Sequence, residues 1–172
     1  MARFASHRVV APNVYLEVSG IDFEDFEVGQ IFEHRPGRTF GAAEDARHAA
    51  RSLDLSPRHA DAQYRHRLGV EPSIAEPFIL GVVTAMTTKT FGKVVANLGW
   101  RRVTFAHAVH PGDTVYAESE ILDKRESRSR PTQGLLRVRT RALDQHGREV
   151  CAFDREILLY RKGQGPYTDA GY

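Results

Sequence analysis

The chain has 172 residues, with 24 Lys and Arg against 22 Asp and Glu, a formal charge of +2; that length fits one domain with a sizeable core, and so even a balance gives no general attraction to nucleic acid or membrane. No apolar run approaches the roughly 18–20 residues of a membrane span, and the first eight residues lack the apolar stretch of a secretory signal, so the expected location is the cytoplasm. A single cysteine, Cys151, excludes an internal disulfide framework and a multi-cysteine zinc site.

Residues 1–20 read as a leader, with a short strand at Val14 to Val18. Phe23 to Gln30 is a turn feeding an extended stretch, Ile31 to Phe40. Ala42 to Leu53, rich in Ala, Glu, Arg and Leu and free of Gly and Pro, predicts a helix. Ser56-Pro57 predicts a fresh helix start, Ser as N-cap and Pro in the first turn, running to Leu68 and stopped by Gly69. Phe78 to Val95 is the most apolar segment and predicts a buried helix, since it is apolar on most faces. From Asn97 to Arg161 the period becomes 2. Leu136, Val138, Thr140 and Ala142 alternate with Arg137, Arg139 and Arg141, the solvent face of a strand. Asp144-Gln145-His146-Gly147 is a hairpin turn, and Val150 to Tyr160 returns as a strand. Long antiparallel strands after one buried helix predict an α+β domain, a curved sheet wrapped around that helix. Domain bounds fall at 21–162, with 163–172 a Gly-rich flexible tail.

Several stretches resemble the MaoC-like dehydratases of the hot-dog fold. Phe23 to Gln30 is similar to the family's opening. Asp54-Leu55-Ser56-Pro57-Arg58-His59-Ala60-Asp61 resembles its Asp-x-Asn-Pro-x-His-x-Asp motif, and His110-Pro111-Gly112-Asp113-Thr114 its Pro-x-x-Gly-Asp-Thr hairpin. Asn97-Leu98-Gly99-Trp100 and Arg125 to Pro131 resemble the subgroup of mesaconyl-CoA and itaconyl-CoA hydratases. The likeness implies a single hot-dog domain that adds water reversibly to a 2-enoyl-CoA, the acyl group a short branched dicarboxylic one. It also implies a homodimer or higher homo-oligomer, and no cofactor beyond the coenzyme A of the substrate.

Hydration needs a base for the water proton, an acid for the alpha carbon and a donor for the charge on the thioester oxygen. By resemblance Asp54 and His59 hold and activate the water, the roles of base and acid open between them. Without the family, Asp54 reads as a helix terminator and His59 as a satisfied histidine. Ser56 stands where the family has Asn, and can cap the helix and support the pair. The family's His-Gly at the central helix start is matched by Glu76-Pro77; Pro77 has no N–H, so Phe78 or Ile79 N–H becomes the oxyanion candidate.

Arg125, Arg128 and Arg130 can grip coenzyme A phosphates or form a solvated hairpin tip. Arg101, beside Trp100, can meet a substrate carboxylate or lie on a strand surface. His107 and His110 lack a third ligand for a metal, Cys151 reads as a packed thiol, and Tyr64 and Met86 as packing residues. Two further functions compete: a hot-dog thioesterase, which would release free thiol, and a noncatalytic acyl-CoA-binding subunit, which Pro77 favours. A nucleic-acid role is not expected, since no aromatics interleave the Arg loop.

Overall fold

The computed structural model describes residues 6–171. The first five residues of the expected leader, and Tyr172 of the expected tail, lie outside the described residues. The rest of the leader pairs β1 (His7–Ala11) with β2 (Val14–Glu17) as an antiparallel ribbon. A 3-10 turn, Phe23–Asp25, leads to β3 (Ile31–Thr39). Helices α1 (Ala42–Ser52), α2 (Pro57–Ala60), α3 (Ala62–Leu68) and α4 (Glu76–Met86) follow. Then come β4 (Val94–Phe105), β5 (Thr114–Glu126), β6 (Gln133–Leu143) and β7 (Glu149–Tyr160), and one turn of helix, α5 (Pro166–Asp169).

Five strands form one antiparallel sheet in the order β3-β5-β6-β7-β4. Alternation decides the faces. Val115, Ala117, Ser119 and Ile121 on β5, and Leu136, Val138, Thr140 and Ala142 on β6, are buried. Arg137, Arg139 and Arg141 take the opposite face, where Arg139 forks onto Asp154 and Arg141 meets Glu118. The alternating arginines therefore lie on the outer face, as the period requires, and acidic neighbours on β5 and β7 pair with two of them.

Helix α4 lies on the inner face and joins two apolar clusters. At its start Phe40, Ile74, Ile79, Val83, Val109 and Phe153 pack together. Beyond its end Phe23, Phe26, Phe91, Ile121, Leu136 and Ile157 form the second. Gly134 leaves room for the Phe23 ring, from which an added Cβ would stand only 2.3 Å. On three successive strands a buried polar residue separates the clusters: Ser119, Thr140 and Arg155. His34 Nε2 and Ser119 Oγ are 2.9 Å apart, Ser119 Oγ and Thr140 Oγ1 also 2.9 Å, and Arg155 donates to Thr87 Oγ1 at 3.0 Å.

Two helices differ from expectation. Helix α4 ends at Met86 rather than Val95, because the Thr87 and Thr88 hydroxyls donate to the carbonyls of Thr84 and Ala85, both at 2.8 Å. The chain then turns, and β4 begins at Val94. The helix expected over 57–68 is two, since the Asp61 carboxylate accepts the Gln63 and Tyr64 N–H groups and caps a new start. In the tail, α5 lets the Tyr167 hydroxyl donate to Gly92 O at 2.8 Å.

Candidate active site

The site sits where α1, α2 and the start of α4 meet. On α1 the residues Asp45 and Ala49, four apart, face inward, so a carboxylate is carried into the interior. Its two oxygens are both used. Oδ1 accepts the Ala75 N–H at 2.8 Å, at the N-cap of α4, and His59 Nδ1 donates to Oδ2 at 3.2 Å. Asp45 is thereby held by backbone and in turn fixes the His59 ring. The side chains of both are about nine-tenths buried. His59 Nε2 has no hydrogen-bond partner among the described residues. A cleft of about 50 Å³, room for water, is lined by Asp45 and His59 with Ala42, Ala46, Arg65, Pro72, Ser73 and Pro111. The Pro111-Gly112-Asp113 turn is pinned there: Gly112 N–H donates to Phe40 O, Phe40 N–H to Asp113 O, and His110 Nδ1 meets Pro72 O.

The expected pair of Asp54 and His59 forms no direct hydrogen bond. Asp54 follows Leu53, whose φ of 56° turns the chain out of α1, and Asp54 Oδ1 accepts the Ser56 N–H at 2.9 Å. Its Oδ2 has no partner among the described residues, and Asp54 is not part of the cleft lining. Ser56 caps no helix with its hydroxyl; its carbonyl instead accepts the His59 and Ala60 N–H groups. Asp45 went unread because it lies 14 residues before His59; its one sequence signal is a carboxylate on the same helical face as Ala49.

The oxyanion candidates Phe78 and Ile79 are both engaged within α4. Phe78 and Ile79 both donate their N–H groups to Ala75 O at 3.0 Å, and neither amide is left for a ligand. With Pro77 lacking an N–H and Ala75 bound to Asp45, Glu76 N–H is the one first-turn amide of α4 without a partner among the described residues. The Phe78 side chain does belong to the region, stacked 5.0 Å from His48 and edge-on to Phe40.

The cationic candidates lie elsewhere. Arg101 is on the outer sheet face, opposite Asp154 in register and 3.5 Å from Glu156. Arg125, Arg128 and Arg130 surround the β5–β6 hairpin. Strand β5 starts beside Pro111 at the cleft and runs 13 residues, about 40 Å at the usual rise, so these arginines stand at the opposite end of the sheet. Cys151 is fully buried, and burial, with Glu149 nearby, pushes its thiol up to about 11. A thiol so protonated is inert as a nucleophile. Met86 packs on the first cluster, whereas Tyr64 is exposed. Among the described residues no group of His, Cys, Asp and Glu could hold a metal ion, and no helix is long and apolar enough to cross a membrane.

An antiparallel sheet wrapped around one buried helix is a hot-dog fold. A Mycobacterium tuberculosis protein described as having a double hot-dog fold matches with a TM-score of 0.73 and 25% identity, over 88% of this chain and 48% of that one. Residues 11–172 match the mesaconyl-CoA hydratase family model, and the chain belongs to that family. It is similar to the mesaconyl-CoA hydratase of Cereibacter sphaeroides, 29% identical over 154 residues, 84% of this chain and 42% of that protein. It is also similar to the beta-methylmalyl-CoA dehydratase of Chloroflexus aurantiacus, 24% identical over 142 residues, 81% of this chain and 40% of that protein. The chain thus spans about two fifths of the length of these curated relatives.

Proposed function

We propose that the protein is a hydro-lyase adding water reversibly to a 2-enoyl-CoA, with a short branched dicarboxylyl-CoA of the mesaconyl or itaconyl type as substrate. The observation that carries the reading is the buried Asp45–His59 pair, with the imidazole lining a water-sized cleft at the start of α4. Asp45 holds the His59 proton on Nδ1, which leaves Nε2 as base. His59 Nε2 takes a proton from water as the oxygen bonds to the beta carbon. The double-bond electrons move toward the thioester, and the Glu76 N–H, at the positive end of α4, stabilises the enolate oxygen. The same imidazolium returns its proton to the alpha carbon. Asp54 does not line the cleft of the free protein; by its place in the motif, its Oδ2 is assigned to the second hydrogen of that water once substrate is bound. These are proton transfers beside an acidified carbon, so no cofactor is invoked beyond coenzyme A itself.

The working unit is proposed as a pair of hot-dog units, here two copies of this chain. Edge strand β3 is guarded by Pro36 and by charged Arg35 and Arg38. Edge strand β4 instead exposes Leu98, Trp100, Val103 and Phe105. Antiparallel pairing of two β4 edges reverses the second sheet end for end. The partner's β5–β6 hairpin then lies at the cleft end, where its Arg125, Arg128 and Arg130 equivalents can meet coenzyme A phosphates that they cannot reach within one chain. The location is proposed as cytoplasmic.

The test incubates the protein with crotonyl-, mesaconyl- and itaconyl-CoA and follows enoyl absorbance and free thiol. Hydration by the wild type that is lost in His59→Gln supports the reading. Thiol release without hydration would make the protein a thioesterase, and binding without turnover a noncatalytic subunit.

A further inference from the structure

We infer that Arg65 is the specificity-determining residue of the cleft, the cation that receives the second carboxylate of a dicarboxylyl thioester. The inference rests on the hydratase reading and deepens it. Among the residues lining the cleft with His59, Arg65 is the one permanent cation. It is also the one residue of α3 that is partly buried rather than exposed, so the helix turns it toward the site. Its Nη1 donates to Arg58 O at 2.7 Å, which fixes the side chain on the segment carrying His59. Among the described residues its other guanidinium nitrogens have no partner, and no acidic side chain lies within ion-pair distance of it. Asp45, on the same cleft wall, is occupied by Ala75 N–H and His59.

The substrate's chemistry sets the distance. In a branched C5 dicarboxylyl thioester the free carboxylate is attached within one or two bonds of the reacting double bond. A cation that recognises it must therefore share the cleft with His59. Arg65 does. Arg101 lies on the outer sheet face, and Arg125, Arg128 and Arg130 lie about 40 Å away along β5. A guanidinium with free nitrogens and a fixed stem suits a carboxylate, by paired charge-assisted hydrogen bonds. A monocarboxylic enoyl-CoA has no group to place there and leaves the cation to water.

The experiment compares two substrates and two saturated ligands on wild type, Arg65→Gln and Arg65→Lys. For Arg65→Gln, kcat/KM on mesaconyl-CoA is expected to fall about 10- to 100-fold, mainly through KM, while crotonyl-CoA changes less than about twofold. Arg65→Lys recovers part of the loss. Binding of succinyl-CoA and butyryl-CoA, equal in length and different in one carboxylate, repeats the comparison without turnover. Arg65→Gln is expected to weaken succinyl-CoA alone. Equal losses on both members of a pair, or no loss on either, overturn the assignment. A wild type that hydrates nothing ends the hydratase reading, and the succinyl/butyryl ratio still decides the role of Arg65.

Discussion

The two ends of α4 are built from the same sheet and serve opposite purposes. At its start the chain spends buried polar groups: a carboxylate clamped by the Ala75 N–H, an imidazole clamped by that carboxylate, and a small cleft beside them. Beyond its end it spends aromatic volume: Phe26 is fully buried, stacked 5.5 Å from Phe91 and edge-on to Phe32. The first arrangement makes a reactive nitrogen available; the second leaves nothing available and holds the helix to the sheet. The difference teaches that the position of His59 depends on α4 staying seated, and α4 is seated largely by residues far from the chemistry. Mutations at the two ends should therefore separate catalysis from stability.

The largest effect is expected at the cleft. His59→Gln should lower kcat for enoyl-CoA hydration by about 10³-fold, within the range for loss of an acid–base group, with the circular dichroism melt little changed. Asp45→Asn should lower it about 10²-fold, because Asn can still accept the Ala75 N–H but no longer stabilises an imidazolium. At the other end, Phe26→Ala should cost about 3–5 kcal/mol, read as a lower urea midpoint, with kcat per folded molecule unchanged. A Phe26→Ala protein that stays stable but loses kcat would break the separation.

How much of this could be read from the chain alone divides along the same line. The wrapped sheet, its β6–β7 hairpin and the outward arginines were legible, because period 2 and a Gly147 turn at φ 78° are local signals. The end of α4 was not. Its apolar residues continue through Phe91 into Val94 and Val95, and an apolar run alone does not tell helix from strand. The site was half legible. His59 stood in a motif, while its partner Asp45 comes from another helix, and the contact exists only once α1 packs against the start of α4. The engagement of the Phe78 and Ile79 amides was hidden for a similar reason: the Ala75 carbonyl claims both N–H groups through geometry that residue types do not encode.

The proposed pairing through β4 gives a third, intermediate effect. Replacing Arg125, Arg128 and Arg130 by Ala should raise KM for acyl-CoA about tenfold or more through lost phosphate contacts. Mixed in equal amounts with His59→Gln and allowed to exchange subunits, the triple variant should restore about a quarter of wild-type activity, because half of the dimers then hold one intact site. No restoration would place the arginines outside the site or the chain outside such a dimer.

Between the two ends lies the polar belt, and it sets the pH response. Burial, aided by the charges of Arg155 and Arg35, pushes the His34 imidazole down to about 4. The unfolded chain takes up a proton near the ordinary value of 6.5 that the folded chain refuses. Stability from this group is therefore full above about 6.5 and is lost as pH falls toward 4, by about 2 kcal/mol after allowing for solvent screening. Urea midpoints at pH 7 and 4.5 should converge in His34→Gln relative to wild type, since Gln does not titrate. An unchanged slope would remove His34 as the cause.

The smallest expected effect concerns Asp54, and it decides what that carboxylate is for. Its Oδ1 holds the Ser56 N–H, a local task that Asn performs equally well. Asp54→Ala should cost about 1 kcal/mol by releasing that amide. Asp54→Asn should cost no stability, so whatever activity it loses belongs to the charge. If Oδ2 holds the second hydrogen of the attacking water, kcat falls about tenfold, less than in Asp45→Asn, because His59 still performs both proton transfers. A loss as deep as that of His59→Gln would instead make Asp54 the base and leave Asp45 the orienting group. An unchanged kcat would reduce Asp54 to a loop residue and place the chemistry wholly on the pair that α1 and α2 bring together.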